Sequence, residues 1–148
     1  MGRLAGIARR EKKRAPMETL ERAEISRQTG VAEDSRGKPG QRQVTVISAA
    51  AWRDACRELG QAIPWTTRRA NLLVEGIDLP ETTGGIISIG PVRLLVSGEV
   101  DPCSRMDEQY AGLTRALQPD WRGGVACTVL EAGSVALGDS VTLELPQG

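Results

Sequence analysis

The sequence predicts a mainly β protein, closed or nearly closed into a barrel of about seven strands, with two short helices added to it. Three observations lead there. Short runs rich in Val, Ile and Leu recur along the chain, each broken by glycine or proline. Only two stretches carry apolar residues at helical spacing. So many short strands would leave many edges with unpaired backbone groups, and closure into a barrel removes those edges.

The first run is "RLAGIAR", Arg3 to Arg9. "METLERAEIS" follows Pro16, with Leu20 and Ile25 set among charges. Ser26 to Arg42 is long, polar and glycine-rich, and reads as a loop; loops of that length in compact domains are commonly functional or disordered. "RQVTVIS" is a clear strand, with Val44 and Val46 alternating with Thr45 and Ile47. A helix then spans Ala49 to Leu59, capped by Ser48 and stopped by Gly60. "ANLLVEGI" is the next strand. "GGIISIGPVRLLVSGEV" is a hairpin turning at Gly90-Pro91, because proline suits a turn and not a central strand. A second helix begins near Ser104, its core face marked by Met106, Tyr110, Leu113 and Leu117. "GVACTVL" and "SVALGDSVTLEL" read as a closing hairpin that turns near Glu131–Gly133, with Val141, Leu143 and Leu145 on one face. No repeat and no change of composition divides the chain, so one domain over residues 1–148 is expected.

Composition excludes more than it selects. Lys+Arg and Asp+Glu both number 19, so nothing calls for nucleic acid or an anionic membrane as partner. The basic residues that crowd the start, Arg3 through Arg14, read as a solvated strand end and loop. No apolar segment follows them as in a signal peptide, and no window approaches the ~20 apolar residues of a membrane span, so the protein is expected in the cytoplasm. There is no histidine. A Ser-His-Asp triad, a Cys-His dyad and a histidine metal site are therefore excluded. No P-loop is present, and no GxGxxG follows a strand. Any site must use Cys, Arg, Lys, Asp or Glu.

The three cysteines are widely spaced, which argues against a disulfide framework. Cys56 shares a helix face with Trp52 and Leu59, and Cys127 alternates with Val125 and Val129 on one strand face, so both read as core. Cys103 has no such pattern. Ser104 and Asp107 resemble a capping box, which places Cys103 just before a helix N-terminus. The unpaired N–H groups there carry roughly +0.5 charge and favour a thiolate over a thiol of pKa near ~8.5. Arg105 adds to this effect, while Asp101, Asp107 and Glu108 oppose it. These residues alone leave two readings open, a ligand or nucleophile and an inert buried cysteine.

The order of several segments resembles the MOSC domain, the module named for the C-terminal part of molybdenum cofactor sulfurases. The segments are "APMETLERAEISRQTGVAEDSRG", "RQVTVIS", "RRANLLVEGIDL", "IGPVRLLVSGEVDPC" and "RGGVACTVLEAGSVALGDSV", and the likeness runs from about Gly6 to Leu145. The resemblance implies a barrel of the PK β-barrel-like kind and a bound molybdenum cofactor (molybdopterin). It places the family cysteine, which coordinates molybdenum or carries sulfur as a persulfide, on Cys103. For the anionic pterin phosphate of that ligand, the candidates here are Arg42, Arg68, Arg69 and Arg122, with Asn71 as a neutral hydrogen-bonding group and Gly123 where backbone approaches the ligand. Asn71 could equally bond backbone, and Trp65 and Trp121 could stack on a pterin or close the core. The implied function is cofactor binding or sulfur carriage, with a cysteine desulfurase or a molybdoenzyme as partner. One alternative is a molybdenum-dependent reductase of N-hydroxylated compounds served by an electron-transfer protein; another is a non-catalytic interaction module. Many relatives carry a histidine in the loop that here reads "GVAEDSRGKPG"; Asp34 is the acidic group that remains.

Overall fold

In the computed structural model of the protein, the residues described are 2–12, 15–32, 34, 38–102 and 105–146. Among the described residues eleven strands and three α-helices follow one another: β1 (Gly2–Arg9), β2 (Glu18–Leu20), β3 (Arg22–Ser26), β4 (Gly30–Val31), β5 (Val44–Ser48), α1 (Ala49–Leu59), β6 (Leu72–Glu75), β7 (Ile86–Ile89), β8 (Val92–Glu99), α2 (Arg105–Gln109), α3 (Leu113–Leu117), β9 (Val125–Glu131), β10 (Gly133–Ala136) and β11 (Ser140–Glu144). Trp65–Arg68 and Pro119–Trp121 are 3-10 turns.

Seven of the strands form the barrel, in the order β11-β7-β8-β9-β5-β6-β1. It closes where Gly2 pairs with Val141 and Arg3 with Ser140. Closure leaves these strands side by side all the way round, as the number of short strands predicts. Beyond the seam, β2 takes over the same edge of β1, with Leu20 opposite Ile7. A separate three-stranded sheet, β10-β3-β4, lies beside the barrel.

Alternation fills the interior. Leu4, Ile7, Val44, Val46, Leu72, Val74, Ile87, Ile89, Val125 and Cys127 are all buried in one cluster. The β7–β8 hairpin turns at Gly90 and Pro91, with Ile89 opposite Val92, and Gly90 has φ 52°, a value glycine adopts without strain.

β5 departs from simple alternation: all five of its residues are buried. It runs parallel to β6, and α1 makes the crossover between them. Val44 and Val46 face the barrel, while Ile47 belongs to a second cluster with Trp52, Ala55, Ile63, Met106, Leu113 and Leu117. This outer layer is formed by α1, α2, α3 and the turn at Trp65. α1 has the expected bounds and caps: Ser48 Oγ accepts from the Ala51 N–H at 3.3 Å, and Gly60 ends the helix at φ 67°.

Three expectations need correction. The second helix is two helices, α2 and α3, parted at Gly112, whose φ of 88° breaks the helical path; the apolar stripe survives the break, with Met106, Leu113 and Leu117 all buried. The closing hairpin does not form. β9 pairs with β8 and β5, β10 pairs with β3, and β11 pairs with β7 and β1, because the chain turns again at Gly138-Asp139. The long loop contains β4, which pairs with β3. Gln43 ties the start of the loop down: it donates to the Arg27 carbonyl at 2.8 Å and accepts from the Val129 N–H at 3.0 Å.

Candidate functional site

Cys103 and Ser104 lie outside the described residues, and with them the capping pattern that Ser104 begins. The site is therefore built from what flanks them. A bulge shifts the pairing of β8 between Val96 and Gly98, and Glu99 then opposes Val125 of the barrel core. The chain leaves the sheet after one further bond, from the Val100 N–H to the Gly124 carbonyl at 2.9 Å. α2 begins at Arg105.

Arg68 grips this segment from the outer layer. Its side chain is buried, at 5% exposure for the residue. Nε donates to the Gly123 carbonyl at 3.0 Å, Nη2 to the Val100 carbonyl at 3.1 Å, and Nη1 to the Met106 sulfur at 3.6 Å. Val100 and Met106 stand three residues before and three after position 103. A buried charge is costly unless hydrogen-bonded, so these bonds are a condition of its being there. Gly123 fits because it has no side chain: a Cβ would stand 2.5 Å from the Val100 carbonyl oxygen and 3.2 Å from Arg68 Nη2.

Arg69 goes elsewhere. Its φ of 64° closes the 3-10 turn in the left-handed region and turns the two neighbouring side chains apart. Arg69 Nη1 donates to the Ala15 carbonyl at 2.9 Å, so the Arg68-Arg69 pair is two separate clasps and not one fork. Arg122 bonds Glu58 Oε1 at 2.7 Å and the Ala116 carbonyl at 3.0 Å, which joins the Gly123 turn to α1 and α3. Asn71 sits inside the sheet region: Oδ1 accepts from the Thr45 N–H at 3.0 Å, and Nδ2 donates to the Ala8 carbonyl at 3.2 Å. Both ends of its amide bond backbone, on β5 and on β1. Arg42 is exposed beside the start of β5. The structure thus brings Arg68 and Gly123 together with Val100 and Met106, with Arg122 next to Gly123 in the sequence, and sets Asn71, Arg69 and Arg42 at other points.

Two features escaped the sequence reading. Glu99 has its carboxyl raised above the ordinary range, first by burial, then by the charge of Asp101 and a hydrogen bond with it. The bulge that orients Glu99 has no signature in the residue pattern. The second is Arg10, which is buried; its backbone N–H donates to Asp34 Oδ1 at 3.0 Å, and Arg9 Nη1 donates to the Ala32 carbonyl at 3.1 Å. Two of the residues read as a solvated basic run thus fasten the acidic loop to the end of β1. The tryptophans serve packing: Trp65 lies against Gly6 in the outer layer and Trp121 against the barrel cluster. Cys127 is buried in the barrel, which pushes its thiol up to about 12. Asp107 accepts from the Thr114 N–H at 2.9 Å in the first turn of α3, and that bond holds its carboxyl below the usual range. Among the described residues no group of three His, Cys, Asp or Glu could hold a metal ion. Among them, too, no helix is long and apolar enough to cross a membrane.

Comparison with known proteins gives a consistent answer. A family model described as the MOSC domain matches residues 26–142. The YuaD protein of Bacillus subtilis superposes with a TM-score of 0.86 at 20% identity, covering 99% of this chain and 98% of that one. YiiM from Geobacillus stearothermophilus gives 0.77 at 15% identity, over 97% of this chain and 75% of that one. YiiM from Escherichia coli gives 0.68 at 16% identity, over 99% and 70%. At these identities the likeness to the solved structures shows the fold. A search of the curated proteins found no match.

Proposed function

The chain belongs to the MOSC domain family, which is associated in general with the molybdenum cofactor, and on that premise we propose that it binds this cofactor, or hands sulfur to it, through the thiol of Cys103. The observation that carries the reading is the buried Arg68, bonded to residues on both sides of position 103. Arg68 brings a buried positive charge to the stretch of chain that flanks position 103 on both sides, and a thiolate or persulfide in that stretch would be an anion.

The residues fit the group in part. Molybdenum is soft enough to take a thiolate, and Cys103 supplies one. When bound, the cofactor supplies the metal and the sulfur ligands of its dithiolene. The chain's part is to hold and orient it. Arg68, Arg69 and Asn71 are bonded to backbone, and Arg122 to Glu58 and backbone, so their first task is structural. Arg42 is exposed beside the start of β5, where an anionic phosphate would reach it from solvent.

Glu99 favours a second reading, the reductase of N-hydroxylated compounds. Its carboxyl, raised first by burial and then by Asp101, is four residues from Cys103 in the sequence and would be the candidate proton donor of that reading. Asp34, by contrast, accepts from the backbone N–H of Arg10.

Metal analysis tests the first reading. Protein made in a host that produces the cofactor should contain molybdenum, and the Cys103→Ser variant should not; equal metal in both overturns the assignment to Cys103. Turnover of an N-hydroxylated substrate with an artificial reductant, lost in Cys103→Ser, would select the reductase. Indifference of both assays to Cys103 would leave a non-catalytic interaction module.

A further inference from the structure

The two strands that close the barrel do not end together. Among the described residues β1 meets β11 with Arg3 opposite Ser140 and Gly2 opposite Val141, while β11 runs on along β7 until Glu144 lies opposite Ile86. The Asp139 carbonyl accepts from the Leu4 N–H at 2.9 Å, so Asp139 points its backbone groups at β1. Alternate residues of a strand point the same way, which sends the N–H and carbonyl of Val141 and Leu143 to that side as well. Val141 meets Gly2 there; Leu143 lies past the last described residue of β1. A strand edge of this kind is a template for another strand.

A cavity of about 540 Å³ opens beside that edge. One wall is the end of β11 with Leu145, and the other is the segment 76–82 that follows β6. Ile77, Leu143 and Leu145 give it an apolar surface, and Leu145 is 56% exposed. Its charged side chains are Asp78 and Glu81, both exposed, and no basic residue lines it. Among the described residues neither carboxylate has an ion-pair partner, and Arg3, at this end of β1, is already bound to Glu75 at 2.9 Å. Glu81 holds φ 59°, where glycine would be unstrained, so its carboxylate is kept in the groove at a conformational cost.

We propose that this groove is a docking site for a partner protein, which adds an extended basic and aliphatic segment as a short strand antiparallel to β11, in the line of β1. The Leu143 backbone pairs with it, Ile77 and Leu145 receive its aliphatic side chains, and Asp78 and Glu81 face its lysine or arginine. The role of Cys103 does not enter.

The test titrates full-length protein calorimetrically with a capped pentapeptide, Val-Arg-Val-Arg-Val. Citrulline in place of both arginines keeps their shape and removes their charge. N-methylation of the peptide backbone removes strand pairing. Each change should weaken binding about fivefold or more, and so should the double variant Asp78→Asn, Glu81→Gln. Amide exchange followed by NMR should show the Leu143 N–H protected when the arginine peptide is bound. Arginine and citrulline peptides that bind within about twofold of each other, or no binding up to about 1 mM, overturn the proposal. A Leu143 amide that gains no protection does the same. N-acetylarginine amide binding as tightly as the peptide would make the occupant a small cation. Self-association in sedimentation velocity, abolished by Leu145→Lys, would make it a second copy of this chain. Either result also overturns the partner segment. The two isosteric peptides decide the matter on wild-type protein where a variant does not fold.

Discussion

Asn71→Ala should cost this protein much of its stability whether or not a cofactor is bound. Asn71 is 6% exposed. Its amide occupies the Thr45 N–H at 3.0 Å and the Ala8 carbonyl at 3.2 Å. The methyl of alanine can satisfy neither. Each orphaned buried backbone group costs about 1–3 kcal/mol, so the pair should cost about 2–4 kcal/mol after some relaxation. For a domain of this size that is a fall in Tm of about 5–15 °C. Urea unfolding followed by circular dichroism should show a lower midpoint with an unchanged m value. Asn71→Asp sharpens the test. The introduced carboxyl can still accept from Thr45 but would set oxygen against the Ala8 carbonyl, so burial and that carbonyl should raise its folded pKa. A raised folded pKa means stability that is present below the unfolded value, ~3.9, and lost as pH rises through the folded one. Asn71→Asp should therefore approach wild type in acid and fall away toward neutrality. A loss below about 0.5 kcal/mol in Asn71→Ala, with a loss of bound cofactor, would refute the structural assignment and make Asn71 a ligand-binding residue.

Three further outcomes are expected. Gly124→Ala should destabilise by about 1–3 kcal/mol in chemical unfolding, since Gly124 has φ 96° and an added Cβ would press on the Val46 carbonyl and on Ile47. Glu99→Gln should raise Tm at pH 7 and lose that advantage below pH ~4. The Glu99 carboxyl is raised by burial and by Asp101, so its folded form favours the proton and its charge opposes folding only once the pH has risen through the folded value. Cys127 should resist a thiol reagent at pH 8 until the protein is unfolded, because burial pushes its pKa to about 12; rapid labelling in the native state would contradict the closed barrel.

Period and punctuation made most of the fold legible. The Gly90-Pro91 turn, the Ser48 and Gly60 caps and the alternation of Val125, Cys127 and Val129 each reflect local rules that the structure obeys. Non-local pairing was less legible. "GVACTVL" and "SVALGDSVTLEL" look like a hairpin because they are adjacent and both alternate, but Gly138 and Asp139 divide the second and send its halves to different sheets. Nor does a residue pattern reveal that Arg69 adopts φ 64°. Two adjacent arginines, both candidates for the pterin phosphate in the sequence, are directed by the backbone to Gly123 and to Ala15. The run Arg9-Arg10 misled in a similar way: its charge suggested solvent, while its backbone and side-chain donors hold Ala32 and Asp34.

The position of the site follows from one topological choice. A barrel of antiparallel neighbours could be closed with short turns; the parallel pair β5–β6 needs a crossover, and the crossover is α1. Once α1 lies outside the barrel, β5 is buried on both faces, and the outer cluster of Ile47, Trp52, Met106 and Leu117 is the result. The end of β8, the Gly123-Gly124 turn and α2 meet where the two cores adjoin: Gly124 is packed on Val46 and Ile47, and Met106 belongs to the outer cluster while contacting Arg68. The buried arginine joins the layers there because no other side chain combines that reach with that many donors.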